Sequence, residues 1–254
     1  MKSVAILNIK GGVGKTVSTV NIGACLSELG HKVLIVDLDP QANATQTFNS
    51  YDSTSPSISE VFLDKGVLTS HVIKHTEYPN IDILPSNIGF AFVEAKITSD
   101  VTRSQQNRLK KGLAQIKDNY DYCLIDCPPS VGVITINALT AAQTVIVPLL
   151  IDQYALDGLN NLMQTIFEVR DEFNDRLQYL GAFITLDEST TVNKVVKETL
   201  MDTPLLKLCN TAIRRNVAVK ESTFNKKPVV FDKPRCAASI GYRLLTAELL
   251  ERGL

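Results

Sequence analysis

Apolar runs of strand length recur along this chain at 4–9, 33–37, 122–126, 144–148 and 179–185, with a briefer one at 81–85. Runs with so little polar alternation suit strands covered on both faces, as in a parallel sheet. Helical patterns lie between them. After the first run, Ile22, Leu26 and Leu29 fall at i, i+4 and i+7, and Gly30 stands where a C′ glycine ends a helix. Further helices are predicted at 134–142, 156–173, 191–201 and 237–252, the last with Ile240, Leu244, Ala247 and Leu250 as its apolar positions. Short helical pieces are expected at 58–63 and 67–73. Residues 87–117 are helix-rich, and from 103 onward Leu109, Leu113 and Ile116 face many basic and amide residues, the ratio of a surface helix. Residues 40–57 read as a loop or frayed helix, and 209–213 and 228–231 as short extended pieces. Strands alternating with helices over the whole length require βαβ crossovers. The expected fold is α/β, a doubly wound, mostly parallel sheet with helices on both faces. No repeat, low-complexity tract or linker divides the chain, so one domain over 1–254 is expected.

At 254 residues and 44% hydrophobic content the chain can bury one substantial core. A formal net charge of −1 argues against a generic polycation. The charge is uneven: residues 1–189 carry 14 Lys/Arg against 21 Asp/Glu, whereas residues 190–254 carry 12 against 6. The closing quarter is therefore basic and suits an anionic partner. Five cysteines, at 25, 123, 127, 209 and 236, give no disulfide framework and fit a reducing compartment. Cys123 and Cys127 are spaced C-x-x-x-C within and just after an apolar run, which suits core packing rather than a metal or cluster site. The N-terminus opens directly into a strand, and no run approaches the ~18 apolar residues of a spanning helix. A cytoplasmic, unexported protein is expected.

Between the first strand and the first helix lies Lys10-Gly11-Gly12-Val13-Gly14-Lys15-Thr16. Its glycines let the backbone approach an anion, the N–H groups of the helix start point at it, and Lys15 supplies a point charge. Thr16 offers a hydroxyl to a magnesium ion bridging phosphates. The strict G-x-x-x-x-G-K-[ST] pattern wants glycine at position 9 and finds Ile9; what the loop has instead is a second cation, Lys10, at its start. In doubly wound sheets ligands bind at the carboxyl ends of strands. The loop, Asp37-Leu38-Asp39 and Asp126 all follow strands and should meet there. Asp126 has the position of a magnesium-holding carboxylate. Asp39, followed by Pro40, is placed to orient or deprotonate the water that attacks a γ-phosphate, and joins Thr16 and Asp126 as a candidate metal ligand. Asp37, two residues earlier and on the same side of an extended chain, is expected to act from behind. Lys15 or a magnesium phosphate would offset the two like charges.

The loop with its extra Lys10, then Asp37-Leu38-Asp39-Pro40-Gln41, then Ile125-Asp126-Cys127-Pro128-Pro129 resemble, in order, the motifs of the deviant Walker A P-loop NTPases of the ParA/MinD superfamily, in particular the ParA/Soj partition ATPases. The likeness continues through Pro148, the run 152–159, residues 213–217, Glu221, Lys227-Pro228, Tyr242, Ala247 and Glu248, so it spans essentially the whole chain. The resemblance implies a weak magnesium-dependent ATPase, turning ATP to ADP and phosphate. Lys10, Gly11, Gly12, Val13, Gly14, Lys15, Thr16 and Val17 would contact the nucleotide, with Lys10, Lys15 and Asp39 in catalysis. It implies an ATP-dependent homodimer in which Lys10 of each subunit reaches the phosphates bound by the other. That dimer would bind duplex DNA nonspecifically on the nucleoid, and a ParB-like centromere-binding protein would stimulate hydrolysis, driving plasmid or chromosome partition. Ile213, Arg214 and Asn216 would lie at the adenine, and Lys194, Lys197, Arg214, Arg215, Lys226, Lys227 and Arg235 are candidate DNA contacts. The chain departs from the pattern at Val17, where a further threonine is usual, at Arg214, where a proline is usual, and at 187–190, where an arginine is missing. No helix-turn-helix extension precedes the loop, so operator-specific repression is not expected. The alternative is a MinD-like membrane-associated positioning ATPase, which would end in a basic amphipathic helix, whereas 237–254 reads as a helix docked on the core.

Overall fold

The computed structural model describes residues 1–152 and 155–254. Among them, seven strands form one sheet: β1 (Lys2–Ile6), β2 (Val33–Asp37), β3 (Lys74–His75), β4 (Ile81–Leu84), β5 (Tyr122–Asp126), β6 (Thr144–Leu150) and β7 (Gln178–Thr185). Their order is β3-β4-β2-β5-β1-β6-β7, with every neighbour parallel except β3 against β4. The apolar runs earn their places by period two. Ala5, Leu34, Val36, Cys123, Ile125, Val145 and Val147 point into one core, and Val4, Ile6, Val33, Ile35, Tyr122, Leu124 and Ile146 into the other. The helices Arg108–Ala114, Val133–Ala141 and Ala155–Glu172 cover the first face, and Lys15–Glu28 and Ala237–Glu251 cover the second. This is the doubly wound sheet expected, and it brings the carboxyl ends of β1, β2 and β5 side by side.

Several local expectations are corrected. Residues 103–107 are not helical. The helix begins at Arg108, which is buried, because its guanidinium donates to the Phe62 carbonyl at 3.0 Å and to Asp100 at 2.8 Å. Residues 229–232 form a helix rather than an extended piece, pinned where the Val230 N–H donates to Asn21 Oδ1 at 3.1 Å. Residues 209–213 form no strand: the chain bends at Asn210 and meets the edge of β7 only at its two ends, through Cys209 N–H to Ala182 O at 2.7 Å and Ile213 N–H to Ile184 O at 2.8 Å. The helix Val217–Phe224 and the two-residue β3 carry no periodicity long enough to read. In the closing helix Ile240 and Leu244 are 50% and 58% exposed. The buried face there holds Ala238, Ser239, Tyr242, Leu245, Thr246 and Leu249 instead, and two of its polar members find partners inside: Tyr242 Oη lies 3.3 Å from Ser18 Oγ, and Ser239 Oγ donates to Val229 O at 2.9 Å. Of the run 152–159, Gln153 and Tyr154 lie outside the described residues.

Candidate functional site

The loop between β1 and the helix Lys15–Glu28 is held from three sides. Asn8, a polar residue buried within the first apolar run, donates from Nδ2 to Pro148 O at 2.7 Å and accepts the Lys10 N–H at 2.9 Å. From β7, Thr185 Oγ1 donates to Val13 O at 2.8 Å. From inside, the buried Lys15 donates from Nζ to Lys10 O at 2.9 Å. Gly12 and Gly14 take φ of 74° and 80°, a region that side chains disfavour. A Cβ at Gly11 or Gly12 would meet nothing within 4 Å, so the loop faces open space on its concave side. Gly14 is the N-cap of its helix and brings no side chain to the first-turn N–H groups, which leaves them for an anion.

Beneath the loop lie the carboxylates. Asp37 and Asp126 occupy one register row of β2 and β5 and are fully buried. Burial pushes the Asp37 carboxyl up to about 6 against the pull of the Thr45 and Asp39 donors. Asp126 is pushed well above the ordinary carboxylate range, by burial first and then by the Asp37 charge, with the Thr16 hydroxyl pulling it down. Lys15 is lowered by burial, opposed by Asp126, Cys127 and Asp39. The oxygens of Asp37 are spoken for: Oδ1 accepts the Asp39 N–H at 3.1 Å, and Oδ2 accepts the Thr45 N–H at 2.8 Å and the Thr45 hydroxyl at 2.7 Å. Asp126 differs. Its Oδ1 accepts from Thr19 Oγ1 at 3.3 Å, but its buried Oδ2 has no hydrogen-bond partner among the described residues. A buried carboxylate oxygen left so is expensive and marks a cation's place. Together with the Thr16 hydroxyl it offers the hard oxygen donors that magnesium takes.

Asp37 and Asp39 differ in burial, because the strand ends at Asp37. Asp39 starts a turn, its carbonyl accepting the Ala42 N–H at 2.9 Å and its Oδ1 the Gln41 N–H at 2.9 Å, and its side chain stands half-exposed above the buried pair. Lys10 sits at the rim, half-exposed and ion-paired with Asp152. Residues 40–57, expected as a loop or frayed helix, contain the short helix Asn43–Thr47, and it is this helix that carries Thr45 to Asp37.

The expected adenine contacts have local duties. Ile213 packs in the core so close to Gly241 that a Cβ added there would lie 3.3 Å from its Cδ1, and Asn216 caps the helix Val217–Phe224, accepting the Ala218 N–H at 2.9 Å. Arg214 is exposed on a backbone tied to Asp187 by two bonds, Asp187 N–H to Ile213 O at 2.9 Å and Arg215 N–H to Asp187 O at 3.1 Å. A cavity of about 450 Å³ opens beside the loop between Thr16, Val17, Asn43, Phe224, Lys226 and Lys227. The DNA candidates fall in groups. Lys197 and Arg215 converge on Asp187 and Glu188, at 4.0 and 2.5 Å, with Arg214 adjacent; Lys226 and Lys227 line the cavity; Lys194 and Arg235 stand exposed. Asn8, Thr19, Thr45 and Thr185 carry no signal in the sequence motifs, and Asp152 appears there only as the start of the run 152–159. A polar residue inside an apolar run could have flagged Asn8, and a threonine closing one could have flagged Thr185.

A family profile described as an AAA domain matches residues 1–179. The chain is 38% identical over 254 residues to the sporulation initiation inhibitor protein Soj of Bacillus subtilis, covering 99% of each. It is 36% identical over 256 residues to the chromosome partitioning protein ParA of Caulobacter vibrioides, covering 99% of this chain and 95% of that one. The chain belongs to the Soj/ParA family of partition ATPases. The same fold recurs in a solved Mycobacterium smegmatis structure, cobyrinic acid a,c-diamide synthase with bound ATP analog and magnesium, at TM-score 0.85 and 35% identity over 99% of this chain and 95% of that one. For a Soj/ParA-type ATPase, the open loop above an unpartnered Asp126 oxygen is the arrangement that a magnesium nucleotide requires. No helix among the described residues is long and apolar enough to cross a membrane.

Proposed function

We propose that residues 1–254 act as one nucleotide-binding domain, a weak ATPase whose ATP form dimerises, binds duplex DNA nonspecifically on the nucleoid and drives plasmid or chromosome partition. A ParB-like centromere-binding protein stimulates hydrolysis and resets it. The observation that carries this reading is the separation of the two loop lysines. Lys15 is buried with its ammonium on the loop's own backbone, while Lys10 stands at the rim on an acid that a phosphate can replace. Lys15 and the N–H groups of residues 11–17 then serve the subunit's own ATP, and Lys10 serves its neighbour's. A contact that exists only with ATP in place couples dimerisation to the γ-phosphate. Thr16, Asp39 and Asp126 hold the metal. Magnesium, when bound, neutralises charge on the β- and γ-phosphates. Asp39, half-exposed above the buried pair, orients the attacking water, and Asp37 keeps the turn in place by accepting the Asp39 N–H. Arg214 and the backbone of 213–216 face the adenine, and the basic groups of the closing quarter face DNA.

The test is duplex binding with ATP, with ADP and without nucleotide across a salt series. Binding with ATP alone and a steep salt slope is expected; equal binding in all three states, or none, overturns the reading. A MinD-like membrane-associated role has one observation in its favour, the exposure of Ile240 and Leu244 on the closing helix. Sedimentation with anionic liposomes in ATP, abolished by Leu244→Ser, would establish it.

A further inference from the structure

The turn that follows the helix Val217–Phe224 carries chemistry that the phosphate loop does not use. Phe224 is 88% exposed, and Lys220, Lys226 and Lys227 around it are exposed as well. A phenylalanine so placed contributes nothing to either core. Nor is it on a loose end. Asn225 N–H donates to Glu221 O at 2.9 Å, Lys226 N–H to Thr223 O at 3.1 Å and Lys227 N–H to Ser222 O at 3.0 Å, closing the turn. Asn225 Nδ2 donates to Asp232 at 3.0 Å, tying the turn to the helix Val229–Asp232, whose Val229 and Val230 are buried. Lys226 holds φ 52°, the left-handed backbone that turns the chain after the helix. The neighbouring acids are engaged, Glu221 with Lys233 at 3.8 Å and Asp232 with Asn225.

A single aromatic ring presented on a rigid turn between cations matches a duplex, in which a base step accepts an apolar wedge and the flanking phosphates accept lysines. We propose that Phe224 enters a base step of duplex DNA while Lys220, Lys226 and Lys227 neutralise the phosphates on either side. The proposal rests on the DNA-binding reading above and adds a non-electrostatic contact to it. A lipid surface fits less well, since Thr223 and Asn225 flank the ring and one phenylalanine buries little apolar area. The inner side of the same turn lines the cavity that begins at Thr16 and Val17, so the wedge borders the nucleotide site.

The full chain with magnesium and ATP is titrated onto a duplex carrying 2-aminopurine, with affinity read by anisotropy and unstacking by 2-aminopurine fluorescence. The wild type is expected to raise the fluorescence. Phe224→Ala should lose that rise and bind about ten-fold more weakly with an unchanged salt slope, while Phe224→Trp restores both. Lys226→Gln with Lys227→Gln should instead lower the salt slope by about two. Phe224→Ala matching the wild type in both readouts overturns the wedge while leaving DNA binding intact. Weakened ATP binding by Phe224→Ala would place the ring on the nucleotide, and ring-dependent binding to phosphatidylglycerol vesicles would place it on lipid; either overturns the wedge too. A wild type that never binds duplex in ATP overturns the underlying reading itself.

Discussion

Asp37, Asp126 and Lys15 are charges taken out of water, whereas Lys194, Arg214, Lys226, Lys227 and Arg235 are charges left in it. At the carboxyl ends of β2 and β5, burial raises both carboxyls and lowers the lysine, so the protein without ligand holds unfavourable energy that a bound cation and anion relieve. Those five exposed cations of the closing quarter are hydrated and screened, and each acts only as one of a sum. The first region should therefore answer to single substitutions with large effects that salt does not erase. The second should answer with small, additive effects that salt does erase.

The hardest blow to that contrast comes from Lys15→Ala. Its ammonium is the loop's only buried cation among the described residues, and its loss removes a positioned charge from where phosphate charge develops. ATP turnover, measured as phosphate release, should fall roughly 10²–10³-fold. A fall under ten-fold would mean that the buried region is no more sensitive than the exposed one. Asp39→Ala should come next. Turnover drops about a hundred-fold while ATP binding by equilibrium titration is retained, since Lys15, Thr16 and Asp126 remain to hold the nucleotide and its metal. Unchanged hydrolysis would remove Asp39 from catalysis.

The two regions were also unequally legible. A glycine-rich loop after an apolar run announces itself because phosphate chemistry fixes both residue type and spacing, and Asp37, Asp39 and Asp126 are visible because a strand's end is visible. What holds them is not. Asn8 and Thr185 look like polar blemishes in apolar runs, and Thr45 sits in a stretch without periodicity, yet these side chains fix the loop and the buried acid. The closing helix misleads for a related reason. Its buried face is partly polar, with Ser239, Tyr242 and Thr246 among the packed positions, so a pattern of apolar spacing selects the solvent side. Basic residues of the closing quarter are countable from the sequence, but their grouping around Asp187 and at the Phe224 turn depends on tertiary placement that spacing does not encode.

A pH series sharpens the buried side of the comparison. The Asp37 carboxyl is raised in the folded state, so the fold binds that proton more tightly than the unfolded chain does. Stability from this group is present at low pH and lost as pH rises from the ordinary carboxylate range through about 6. Asp52 and Asp100, both lowered by hydrogen bonds, work in the opposite direction at lower pH and cancel in the difference between wild type and Asp37→Asn, which reads the titration of the Asp37–Asp126 pair because the Asp37 charge also raises Asp126. Urea melts between pH 4 and 7 should show the wild type losing on the order of 2 kcal/mol relative to Asp37→Asn across that window. Parallel profiles would mean that Asp37 ionises as it does in water.

The smallest effect belongs to Lys194→Ala, and it tests the exposed side. Lys194 is exposed on the helix Thr191–Met201. As one phosphate contact among several, it should weaken ATP-dependent duplex binding roughly three-fold near 0.1 M salt and lower the salt slope by about one. Adding Arg235→Ala should multiply the loss rather than saturate it, because two exposed cations without a shared partner act independently. If Lys194→Ala alone abolished binding at every salt concentration, the closing quarter would hold a built site of the same kind as the phosphate loop, and the division between charges buried singly and charges summed at the surface would fail.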